Sequence, residues 1–166
     1  MINEQIALLK GLRAVREFRP DPVSDEVLAE ILEVARWTGT ASNLQAWELV
    51  VVRERESLQA LSECGIRHLA TAAVGLVIVS PGANPELEAF DDGRISERIM
   101  LAARAEGLAS GVGWFKNGGR ARARAILGAP PNTILRTAVS IGYAAVGAEH
   151  GRKRKALAEF VHQGRY

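Results

Sequence analysis

Apolar residues recur at helical spacing through Ile6, Leu9, Leu12 and Ala14, beginning at Ile2, and predict an amphipathic helix over residues 2–14. Arg19-Pro20-Asp21-Pro22 breaks it, because neither proline can donate into a helix. Ser24 reads as the N-cap of a second helix with Asp25 and Glu26 in its first turn. Val27, Leu28, Ile31, Leu32, Val34 and Ala35 carry that helix to about Trp37. A polar loop over residues 38–45 leads into an apolar strand over 47–53, and Ser57 opens a short helix reaching Cys64. Residues 73–80, rich in Val and Ile, are apolar at successive positions, as a central strand covered on both faces must be.

Residues 81–92 read as a loop with Asp91 or Asp92 as the cap of a small-residue helix through Ile95, Ile99, Ala102, Ala105 and Leu108. A short strand or turn over 110–115, a helix over 118–127 and a strand over 137–146 complete the order. Helices and strands alternating in this way predict an α/β or α+β fold with a sheet between helical layers, as a single domain over 1–166.

Composition narrows the chemistry. The chain has 166 residues, of which 48% are hydrophobic and 24% charged, a globular profile with enough length for a core without staples. Cys64 is the single cysteine, which excludes an internal disulfide framework, and three scattered histidines make no metal motif. No apolar h-region opens the chain and the apolar run at 69–80 is too short to cross a bilayer, so the expected setting is cytoplasmic, without membrane contact. The net charge of +2 resides in residues 147–166, where Arg152, Lys153, Arg154, Lys155 and Arg165 face two acids, Glu149 and Glu159. So short a basic run, with no aromatic platform beside it, disfavours a nucleic-acid partner.

P-loop, nucleophile-elbow and zincin signatures are missing, and Gly111-Val112-Gly113 lacks the third glycine of a dinucleotide fingerprint. No catalytic protein group stands out, so a bound cofactor is the expected carrier of the chemistry. Three segments are unusual. Helical spacing would put Arg13 and Arg16 on one face, where guanidinium forks suit phosphate. Thr40, Ser42 and Asn43 bring short donors and acceptors of the kind a heterocycle edge needs, although local turns use the same residues. The basic tail is the third.

In this order the segments resemble the FMN-dependent nitroreductase family. Its opening pattern R-R-S-[IV]-R-x-F-x-x-[DE]-P-V is similar to Leu12-Arg13-Ala14-Val15-Arg16-Glu17-Phe18-Arg19-Pro20-Asp21-Pro22-Val23. A-P-S-x-x-N-x-Q-P-W is matched by residues 38–47, a D-x-G helix by Asp91 to Ser110, and the G-Y-P-A and basic ending by Gly142-Tyr143-Ala144-Ala145 and 152–159. The resemblance implies a nitroreductase-like α+β sandwich, a central mostly antiparallel sheet flanked by helices, in an intertwined homodimer with FMN at the interface. It implies FMN contacts from Arg13, Ala14 and Arg16, from Thr40, Ser42 and Asn43 of the partner's loop, from the turn Gly111, Val112 and Gly113, and from Arg152 and Arg154 in a tail (147–166) crossing to the partner. Glycine in that turn is expected to admit a planar ring.

The implied reaction is ping-pong. NADH or NADPH passes hydride to the flavin N5, and an electron-poor small molecule such as a nitroaromatic or quinone then takes the electrons. No protein acid or base is required, and Arg16 is expected to supply positive charge to the flavin. Leu12 and Ala14 replace an arginine and a serine of the pattern, which raises the alternative of a relative that binds flavin weakly or turns over without nicotinamide.

Overall fold

The computed structural model describes residues 3–116, 118–148, 151 and 153–166. Helix α1 (Glu4–Gly11) starts where the Asn3 side chain accepts from Gln5 N at 2.9 Å. It ends earlier than its periodicity predicts, with Leu12 already extended. The Arg13 guanidinium donates to the carbonyls of Lys10 (2.8 Å) and Leu12 (2.7 Å), oxygens the finished helix leaves open. Residues 12–19 then run as an extended strip, so Arg13 and Arg16 do not share a helical face. Val15 N donates to Ser110 O at 2.8 Å, Arg19 N to Tyr143 O at 2.8 Å, and Ala145 N to Glu17 O at 3.0 Å.

Helix α2 (Asp25–Arg36) follows its predicted span, with the Ser24 hydroxyl accepting from Val27 N. Strand β1 (Glu48–Val52) and helix α3 (Arg55–Ser62) lead to β2 (Val74–Ser80), all of whose residues are buried. Helix α4 (Pro85–Ala105) corrects the expected loop, because Pro85 sits in the first turn, where its missing N–H costs nothing, and Asn84 is the cap. Glu88 reinforces that start by accepting from Gly82 N and Asn84 N, both at 3.2 Å. Asp91 and Asp92 are therefore interior helix residues, not caps.

Strand β3 (Ala109–Trp114), helix α5 (Gly118–Leu127) and β4 (Ile134–Gly142) complete the chain of regular elements. β4 starts and ends before its predicted 137–146 span, because residues 143–145 leave the sheet to pair with the 12–19 strip.

The four strands form an antiparallel sheet in the order β1-β2-β4-β3. Alternation along β2 explains the two layers. Val74, Leu76 and Ile78 face α2 and α4 with Val139 and Ile141, while Val77 and Val79 face α3 and α5 with Leu58, Leu61 and Phe115. This α+β sandwich places β3 at an edge, with the extended strip alongside it.

Candidate active site

The strip and the edge strand build two cavities that meet at Arg16. The first, about 410 Å3, is lined by Leu12, Arg13, Ala14, Arg16, Glu17, Ala148 and Arg154. Three guanidinium groups against one carboxylate give it a cationic lining, the chemistry that suits an anion. Arg13 gives one nitrogen to the end of α1, which fixes the direction of its fork while other N–H groups stay available.

The second cavity, about 990 Å3, adds Arg67, His68, Val112, Gly113, Trp114 and Lys116 to Arg16. Its wall holds the best-defined polar constellation of the site. Ser140 Oγ donates to Gly111 O at 3.0 Å, which uses its only proton. His68 Nδ1, at 2.6 Å from that oxygen, must therefore be the N–H that donates to it. Nε2 is left with its lone pair and has no hydrogen-bond donor among the described residues. The residue is only 8% exposed. Burial, aided by the charge of Arg16, lowers the His68 pKa to about 4, so the ring is neutral at ordinary pH.

The glycines of β3 are required by the fold itself. A Cβ at Gly111 would run into the Val15 carbonyl, and one at Gly113 would lie 2.6 Å from Ile66 Cγ2 and 2.9 Å from His68 Nε2. The close approach is thus made by the chain's own strip and by His68, a different reason from the ring contact expected from the sequence. Gly113 still serves the site, since its missing side chain leaves Nε2 approachable.

The structure brings Arg13, Ala14, Arg16 and Arg154 to the first cavity and Val112 and Gly113 to the second, with Gly111 behind them. Arg152 lies outside the described residues. Thr40, Ser42 and Asn43 line neither cavity. They form a tight loop in which Thr40 Oγ1 accepts from Gln45 N at 2.9 Å, while Ser42, Asn43 and Gln45 take positive φ of 50°, 55° and 48°. The backbone pays for that shape.

His68 is not among the site residues expected from the sequence. Its partner Ser140 lies 72 residues away and no local spacing marks the pair. By contrast, Asp92 on α4 is buried and fully engaged. It accepts from Arg136 at 3.0 Å, from Thr137 at 3.3 Å and from Ser80 at 3.2 Å. Burial raises its pKa against the opposing pull of those donors.

A cationic cavity joined to a larger one with a neutral acceptor, a bare backbone edge and Arg16 between them suits an elongated ligand with an anionic end and a planar polar ring. Comparison with known proteins agrees. The nitroreductase family model matches residues 9–92, half of the chain. An Archaeoglobus fulgidus protein named for NADH dehydrogenase and NAD(P)H nitroreductase activity is 31% identical over 153 residues, covering 86% of each chain.

Two solved structures share the fold. The FMN-dependent nitroreductase of Clostridium difficile R20291 superposes with a TM-score of 0.86 at 24% identity, covering 97% of this chain and 99% of that one. The NADPH:FMN oxidoreductase of Vibrio harveyi, complexed with NAD+, gives 0.87 at 23%, covering 99% of this chain and 78% of that one. On the matched half of the chain, the near full-length relative and the common fold, this protein belongs to the nitroreductase family of oxidoreductases.

Proposed function

We propose that this chain is an NAD(P)H-dependent FMN oxidoreductase that passes electrons to an electron-poor small molecule such as a nitroaromatic or quinone. The observation that carries the reading is the convergence of Arg13, Arg16 and Arg154 on one cavity whose Arg16 wall is shared with the cavity of His68 and Gly113. When bound, FMN supplies the hydride and electron chemistry, for which no paired protein acid and base is needed.

The residues divide the labour by charge. Arg13 and Arg154 hold a phosphate, with the fork of Arg13 aimed by its hydrogen bonds to the end of α1. Arg16 stands between the cavities and supplies positive charge to the pyrimidine end of the ring. His68 Nε2 offers a neutral acceptor to the same ring, and Ser140 sets its tautomer. Ala14 has no hydroxyl to give, so the strip contributes backbone and guanidinium groups only.

In this reading residues 1–166 form one FMN-binding domain that works as an intertwined homodimer. Arg154 stays at the first cavity of its own chain, and the 147–166 tail beyond it reaches over the partner subunit. The loop of Thr40, Ser42 and Asn43 covers the partner's cavity, which gives its three left-handed residues a purpose. No described helix is long and apolar enough to cross a membrane.

The test is a visible spectrum of the purified protein alongside size-exclusion chromatography, followed by anaerobic mixing with NADH and NADPH. A yellow dimer that releases FMN on denaturation and bleaches with either donor is expected. A protein that stays colourless after FMN is added overturns the reading. Arg16→Ala should weaken FMN binding about tenfold or more, the usual scale for losing a charge-assisted contact.

A further inference from the structure

Building on the FMN reading, we infer that the second cavity selects acceptors that are anionic planar aromatics, with a carboxylate on the ring and Arg67 and Lys116 as its recognition pair. The argument begins with a charge census. The cavity is lined by Arg16, Arg67 and Lys116, and its one carboxylate, Glu63, is already paired with Arg122 at 2.7 Å. His68 adds no charge there, since burial first and the nearby Arg16 second keep its ring neutral.

FMN accounts for only part of this charge. Its phosphate belongs with Arg13 and Arg154 in the first cavity, and its oxidised ring is uncharged beside Arg16. Arg67 and Lys116 remain, both exposed, neither side chain with a hydrogen-bond or ion-pair partner among the described residues.

The fold brings these two together. Lys116 N donates to Cys64 O at 3.4 Å, and the Cα of Gly65 packs so tightly that a Cβ would lie 3.2 Å from Lys116 N and 3.3 Å from Trp114 O. The turn carrying Arg67 is thereby held against the segment carrying Lys116. Trp114, left 68% exposed at the end of β3, lines the same cavity and adds a flat apolar face to a lining that holds both cations. An arene carboxylate satisfies all three groups, whereas a neutral arene leaves both cations unanswered.

The reaction that reports this selectivity balances without further reagents. Reduction of a nitroarene to a nitrosoarene and water takes the hydride of one NAD(P)H, relayed through the flavin, and one proton from solvent: ArNO2 + NAD(P)H + H+ gives ArNO + NAD(P)+ + H2O.

The experiment uses the FMN-loaded protein and matched pairs. kcat/KM is measured for 4-nitrobenzoate and 4-nitrobenzamide, and the Kd of benzoate and benzamide is read from the perturbed flavin spectrum without turnover. At low ionic strength the acid should exceed the amide about tenfold in both readouts, as two exposed ion pairs allow. The advantage should shrink as salt is raised past about 0.1 M, where the screening length falls to about 10 Å. In an Arg67→Gln, Lys116→Gln double variant the acid-to-amide ratio should fall towards one.

Equal handling of acid and amide by the unaltered protein overturns the inference while the FMN reading stands. A preference that appears only as NADPH over NADH also overturns it, because the cations would then read the donor's extra phosphate. Failure to hold FMN or to reduce either nitroarene sinks the underlying reading instead.

Discussion

Two buried polar clusters flank the same sheet, and they differ in one respect. At Asp92 each carboxylate oxygen has a protein donor, and the partner guanidinium of Arg136 is itself only 14% exposed. At His68 one ring nitrogen is spent on Ser140 and the other faces a cavity with nothing to accept from. The closed cluster ties α4 to β4 and stabilises. The open one is oriented as firmly yet left incomplete, and a group fixed on one side and free on the other is available to a ligand.

The sharpest way to break this contrast is Asp92→Ala. Leaving the largely buried Arg136 without its carboxylate, with only the Pro85 carbonyl to accept from it, should cost about 3 kcal/mol of unfolding free energy, read by chemical denaturation, with FMN affinity of the folded protein unchanged. A large loss of affinity at unchanged stability would reverse the roles assigned to the two clusters.

Acid titration tests the other cluster. His68 has a native pKa of about 4 against 6.5 for the free side chain, so between these values the unfolded chain binds the extra proton. The stability it contributes is complete above pH 6.5 and drains away as pH falls towards 4, by roughly 2 kcal/mol once the open side of the cavity is discounted. His68→Leu should remove that part of the pH dependence. An identical slope in the variant would show that the imidazole is not held neutral by its surroundings.

The smallest effect belongs to the strained loop. Ser42 sits at φ 50°, where a side chain costs about 1–2 kcal/mol and glycine costs less, though the greater freedom glycine gives the unfolded chain opposes folding by roughly half as much. Ser42→Gly should therefore gain about 0.5 kcal/mol in thermal or denaturant unfolding. A loss would mean that the serine side chain stabilises this loop within its own chain.

What the sequence made legible follows from how local each cause is. α2 was readable because cap, acidic turn and period agree within a dozen residues, and β2 because burial on both faces leaves an uninterrupted apolar run. α4 was misread at its start, since Pro85 looks like a breaker and becomes an N-terminal residue only once Asn84 and Glu88 are seen closing the turn. Residues 12–14 at the start of the strip continue the helical period of α1, and only the strip's pairing with Ser110 and Tyr143 pulls it straight. For the site, Arg13, Arg16 and Arg154 came from ordered motifs, whereas His68 depends on Ser140 across the sheet and had no local signature.

That strip has a further consequence for β3. An edge strand with glycines at 111 and 113 offers a row of backbone groups that another chain's strand could join. Pairing at Ala14 and Ser110 covers one end of that row with the same residues that carry the arginines. Trimming the strip would thus do two kinds of harm at once: it would dismantle the anion cavity and uncover a template for edge-to-edge aggregation, tying the protein's solubility to the integrity of its binding site.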